Sequence, residues 1–220
     1  MSTRTDDFRN ALRTMPIIAI LRRIRPEEVA DVAHVLVENG IALVEIPFNS
    51  PEPLRSIERL AELHGDRCLI GCGTVLNERD LRDARAAGAA LVLHPHGDAR
   101  LVAVAKELDM VSVPGVTSPT EAFAMLAAGA DALKFFPTTI VSPSSVAAMK
   151  EVLPPDVLTL AVGGISVANM REFWHAGVDG FGVGTGLYRG GWGIARVRDE
   201  VTPIVTLARE LVNVKRGECA

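Results

Sequence analysis

No stretch of this sequence approaches the ~20 consecutive apolar residues that a membrane-spanning helix needs. Apolar runs such as Ile41–Val44 are short. Met1–Asn10 is polar and has no apolar signal core, so no secretory leader is expected. Positive charge is not in excess. Lys and Arg total 23 against 27 Asp and Glu, a net charge of −4, which argues against a nucleic-acid binder relying on bulk basic charge. Cysteine is scarce: Cys68, Cys72 and Cys219 are an odd number at no familiar spacing. A disulfide framework is not expected, and a reducing, cytoplasmic setting is. Lysine is scarcer than the total suggests, with only Lys106, Lys134, Lys150 and Lys215. Finally, no Pro/Gly/Ser-rich linker divides the chain, so residues 1–220 read as a single domain.

What the chain does have is alternation. Of its 220 residues, 48% are hydrophobic and 23% charged, so a sizeable core can form. Short β-branched apolar runs recur every 20–27 residues or so, separated by Ala/Leu/Glu/Arg-rich segments. Eight strands are expected: Ile17–Leu21, Ala42–Ile46, Cys68–Gly71, Ala90–Leu93, Met110–Val113, Ala132–Phe135, Leu158–Val162 and Gly180–Val183. Helices fill the gaps. Pro26 would open Glu27–Asn39, Asn77 would cap the segment containing Asp80, and Ser118 with Glu121 forms a capping box. Gly40, Gly88, Gly129 and Gly177 each stand between a helix end and a buried strand, the position of a C-terminal cap. All-apolar strands imply a parallel sheet covered by helices. An open doubly wound sheet fits this pattern. Eight units in this length favour an α/β fold closed into a (β/α)8 TIM barrel. Met1–Met15 would add an N-terminal helix at the barrel bottom.

Barrel active sites lie at the C-terminal ends of the strands. Polar or special residues gather there: Arg22, Glu45, Gly73-Thr74, His94-Pro95-His96, Pro114-Gly115, Lys134, Gly163-Gly164 and Gly184-Thr185. Lys134 is a lone charge in an apolar strand. It reads either as a buried amine with a depressed pKa, able to attack carbonyls, or as an edge lysine whose head reaches water. Glu45 is equally alone and reads as a general acid/base or as a structural partner of Lys134 or Arg22. One of Arg22, Arg23 and Arg25 should point inward and suits an anion. The glycine pairs ending the last two strands stand where barrels often bind phosphate. His94 and His96 could be two metal ligands or loop and substrate contacts. Trp192 follows Gly190-Gly191, where it would cover either the pocket or an interface.

From about Pro16 to about Arg209, the chain resembles the bacterial 2-keto-3-deoxy-6-phospho-sugar-acid aldolases. The resemblance is carried by Ile18–Arg22, Val44–Ser50, Ile70–Leu76, Val113–Gly115, Leu133–Pro137 and Ala161–Ile165, in that order. Asn49-Ser50, Val162, Arg22 and Leu187-Tyr188-Arg189 look more like the 6-phosphogalactonate branch than the gluconate branch. The resemblance implies a class I aldolase with no metal or other cofactor, acting on a phosphorylated keto acid as a homotrimer. By that likeness, Lys134 is the Schiff-base lysine and Glu45 the proton shuttle. Arg22 and Thr74 would hold the pyruvyl carboxylate, and Pro95 and Phe136 would wall its methyl group. Gly163, Gly164, Gly184 and Thr185 would hold the distal phosphate. His94 departs from the Thr or Ser usual in the family, at a strand end expected to pack beside the pyruvyl unit.

Overall fold

The computed structural model describes residues 3–217. It opens with α1 (Arg4–Thr14), followed by β1 (Ile17–Ile20), α2 (Val29–Glu38), β2 (Leu43–Pro47), α3 (Pro53–His64) and β3 (Leu69–Gly73). Next come α4 (Glu78–Ala86), β4 (Leu91–Leu93), α5 (Ala99–Glu107), β5 (Val111–Val113), β6 (Gly115–Val116) and α6 (Pro119–Ala127). The chain ends in β7 (Ala132–Phe135), α7 (Pro143–Lys150), β8 (Leu158–Val162), α8 (Met170–His175), β9 (Gly180–Val183) and α9 (Ile194–Gly217).

The strands pair in parallel in the order β5-β4-β3-β2-β1-β9-β8-β7-β6. The two ends of this list are consecutive in the chain. Pro114 divides what the sequence presents as one fifth strand, because proline has no N–H to give to the ladder. Its carbonyl still accepts from Lys134 N–H at 2.9 Å, while Val113 O accepts from His94 N–H at 3.2 Å. The split strand therefore joins β4 to β7 and closes a (β/α)8 TIM-type barrel, with α1 as the extra helix.

Local chemistry sets most helix boundaries. Asn77 accepts from Asp80 N–H at 2.9 Å, and Ser118 and Glu121 form the expected capping box. Gly40, Gly88, Gly129 and Gly177 all have φ between 86° and 100°, a region that glycine enters without the Cβ penalty. The start of α2 differs from expectation. Pro26 lies before the helix, which begins at Val29, because Arg25 and Glu28 form a turn closed by a two-point ion pair.

Period-2 alternation sorts each strand into two faces. Ile17, Ala19, Val44, Ile46, Leu133 and Phe135 join the helices in the outer core. Ile18, Ile20, Leu43, Ala132, Leu160 and Val162 point into the barrel, where Phe8 and Leu12 of α1 plug its lower end. Glu45 continues the inward phase of Leu43, and Lys134 that of Ala132. The alternation that builds the core thus sends both charges into the barrel.

Candidate active site

Above the interior apolar cluster, the carboxyl ends of the strands surround a cavity of about 310 Å³. Its lining contains the ten residues to which the family resemblance gives roles: Arg22, Glu45, Thr74, Pro95, Lys134, Phe136, Gly163, Gly164, Gly184 and Thr185, but not Gly73, His94, His96, Pro114 or Gly115. Ile20, Val162, Ile165 and Gly182 complete the wall. Ile20 and Val162 do not stand out in the sequence as cavity wall, because apolar strand residues there look like ordinary core. Their signal is phase: Ile20 and Val162 occupy the inward positions at the ends of β1 and β8.

Lys134 is only 5% exposed, which removes the reading of an edge lysine with its head in water. Its Nζ lies 5.1 Å from the centroid of the Phe136 ring. Burial disfavours the ammonium and lowers the Lys134 pKa to about 8, against the pull of Glu45 and with help from Arg22. Glu45 is 3% exposed, and among the described residues its Oε2 has no hydrogen-bond partner. Burial raises its carboxyl to about 7, opposed by Lys134 and Arg22. Desolvation thus moves the two groups toward each other on the pH scale, as acid–base chemistry near neutrality requires. Gly73 on the neighbouring strand makes room for Glu45. A Cβ there would lie 2.1 Å from Oε1 and 2.2 Å from Cδ.

Of the three arginines after β1, Arg22 lines the cavity while Arg23 and Arg25 are exposed. Arg22 Nη1 donates to Asn49 Oδ1 at 2.9 Å, which aims the guanidinium across the mouth. Thr74, on the cavity wall, has φ 56°, an uncommon conformation for a β-branched residue. Gly163 and Gly164 lie at the end of β8, next to Gly184 and Thr185 at the end of β9. They expose backbone on one side of the rim. A Cβ on Gly163 would meet Phe136 and Pro137 at 3.2 Å.

The histidine pair does not form a unit. His96 is exposed, whereas His94 is fully buried and outside the cavity lining. His94 Nε2 and Ser112 Oγ lie within hydrogen-bond distance at 3.3 Å. Burial, reinforced by the charges of Lys134 and His96, lowers its pKa to about 3, so it is neutral at working pH. The expected packing of His94 beside the substrate is corrected accordingly: the ring stands behind the wall. Among the described residues, no cluster of three His, Cys, Asp or Glu has metal-site geometry. No described helix is long and apolar enough to cross a membrane. Cys68 and Cys72 are buried free thiols, and Cys219 lies outside the described residues.

Known proteins resemble this arrangement along most of their length. A probable 2-dehydro-3-deoxy-6-phosphogalactonate aldolase of Rhizobium meliloti is 42% identical over 193 residues, covering 88% of this chain and 90% of that protein. The 2-dehydro-3-deoxy-6-phosphogalactonate aldolase of Escherichia coli is 37% identical over 198 residues, covering 90% and 97%. A solved structure described as native KDPGal superposes with a TM-score of 0.88 at 37% identity, covering 90% of this chain and 97% of that one. The sequence model of the KDPG and KHG aldolases matches residues 8–200, so the barrel, its buried lysine and the chain that carries them belong to the KDPG and KHG aldolase family.

Proposed function

We propose that the protein is a class I aldolase that cleaves 2-dehydro-3-deoxy-6-phosphogalactonate to pyruvate and glyceraldehyde 3-phosphate. The observation that carries this is the enclosure of one amine and one carboxyl in a single cavity, each shifted by burial toward neutral pH. Neutral Lys134 attacks the C2 ketone, and Glu45 passes the protons that let water leave the carbinolamine. The resulting iminium is an electron sink. Glu45 then accepts the C4 hydroxyl proton, the C3–C4 bond breaks, and its electron pair passes into an enamine. Glyceraldehyde 3-phosphate departs as C4 becomes an aldehyde carbon. Glu45 returns a proton to C3, and water releases pyruvate and the free amine. General acid–base help of this kind contributes ~10²–10⁴-fold.

The remaining wall fits the two ends of this substrate. Arg22 and Thr74 hold the pyruvyl carboxylate, and Pro95 and Phe136 flank its methyl group. Gly163, Gly164, Gly184 and Thr185 hold the distal phosphate through backbone N–H groups and one hydroxyl. The relatives at 42% and 37% identity, both named as 6-phosphogalactonate aldolases, support the galactonate-configured substrate over its C4 epimer. The same reading makes the protein a cytoplasmic homotrimer. Light scattering should give three times the 23.5 kDa chain mass, and a monomer would overturn that part.

The test is to compare kcat/KM for the galactonate-configured phosphate, its gluconate epimer and non-phosphorylated 4-hydroxy-2-oxoglutarate. The first should be the best substrate. Equal or better cleavage of the epimer would move the protein to the gluconate branch, and preference for the non-phosphorylated acid would remove the phosphate.

A further inference from the structure

The loop after β9 contains five glycines in ten residues, Gly184 to Gly193, yet it carries one side of the proposed phosphate rim. Backbone this permissive loses much conformational freedom when ordered. Something must hold it in place, and three side chains do. Buried Tyr188 donates its hydroxyl to Glu28 Oε2 at 3.2 Å, tying the loop to the turn after β1. Arg189 reaches back along its own loop, its Nε donating to the Thr185 carbonyl at 3.3 Å. Trp192 then holds Arg189: the guanidinium carbon lies 5.6 Å from the indole centroid, with Arg196 at 4.4 Å from the same ring. Arg196 lies 3.8 Å from Glu200, whereas among the described residues Arg189 meets no carboxylate within ion-pair distance.

We propose that Arg189, held by Trp192, is a positioning residue for the phosphate end of the cavity. It fixes the Thr185–Gly186 peptide through the Thr185 carbonyl and adds a positive charge that meets no carboxylate among the described residues. A guanidinium suits this role because its planar fork can bond a carbonyl and stack on an indole at once. The inference rests on the phosphorylated-substrate reading and adds the device that prepares the loop for the anion.

The test is Arg189→Ala, assayed with the phosphorylated substrate and with 4-hydroxy-2-oxoglutarate, together with inhibition by inorganic phosphate. Loss of a charge-assisted contact predicts a roughly tenfold rise in KM for the phosphorylated substrate and in the phosphate inhibition constant. kcat should stay within about twofold, and the KM of the non-phosphorylated acid should not move. Arg189→Lys should recover part of the loss, since an ammonium can still reach the carbonyl. Equal KM changes for both substrates would mean a merely structural role and overturn the proposal, as would no change at all. If the unaltered enzyme shows neither phosphate inhibition nor a phosphorylated-substrate preference, the substrate reading itself fails and takes this inference with it. A measurement that leaves Arg189 in place uses Trp174→Phe, in which Trp192 is the sole tryptophan. Added inorganic phosphate should change its emission, and a silent titration would overturn the proposal.

Discussion

Replacing Gly73 by alanine should disable the proton shuttle proposed for Glu45 without changing that residue. The new Cβ would stand 2.1 Å from Glu45 Oε1, 2.2 Å from Cδ and 2.6 Å from Oε2. All three lie far inside ordinary contact, so the carboxyl must move by on the order of 1 Å. The backbone at Gly73 is outside the left-handed region, so alanine itself is conformationally allowed there. Glu45 yields more readily than the barrel wall, because its Oε2 has no protein partner to lose among the described residues. A displacement of this size at a catalytic group costs about 10²-fold in rate, or about 2.7 kcal/mol of barrier. Stability should fall by far less, since no apolar contact is removed. Thermal unfolding should shift by a few degrees, at roughly 2–4 °C per kcal/mol for a chain of this size. The assay is single-turnover and steady-state cleavage beside a melting curve. A folded Gly73→Ala protein with unaltered kcat would refute the claim that the position of the Glu45 carboxyl governs the chemistry.

Acid should destabilise the fold through His94. Its pKa is near 6.5 in the unfolded chain and about 3 when folded, so unfolding takes up a proton across that window. Stability is therefore complete above pH 6.5 and declines as the pH falls toward 3. His94→Gln should flatten that slope in denaturant titrations, and an unchanged slope would contradict the buried neutral ring. For catalysis, kcat/KM should rise with pH through about 7 to 8, as Glu45 becomes a carboxylate and Lys134 a free amine. A rising limb near 10.5 would show an ordinary, solvated lysine. Phe8→Ala at the barrel plug should cost about 3–5 kcal/mol, because Phe8 is fully buried against the lower interior cluster. A melting shift of only a degree or two would mean that α1 is not part of the barrel core.

The periodicities carried most of this architecture into view. Alternating apolar runs and four left-handed cap glycines mark the βα units, and Glu45 and Lys134 stand out as charges where every neighbour is apolar. The division of the fifth strand at Pro114 was less legible, since it takes effect only when β4 and β7 claim opposite sides of one strand. His94 misled for a related reason. A polar residue at a strand end reads as cavity wall, but its direction depends on the twist that turns it toward Ser112. The space Gly73 leaves for Glu45 is a relation between strands, invisible until the register sets them side by side. Ile20 and Val162 were hidden by their chemistry, because an apolar side chain facing a substrate and one facing the core look alike in sequence.

If Lys134 is the reacting amine, it bonds covalently to a keto acid. Incubation with pyruvate and borohydride, followed by intact mass and peptide mapping, reads that bond. A single stable adduct on Lys134 is expected, absent in Lys134→Met and slowed in Gly73→Ala. A folded protein that forms no adduct, or forms one on Lys106 or Lys150 instead, would contradict it.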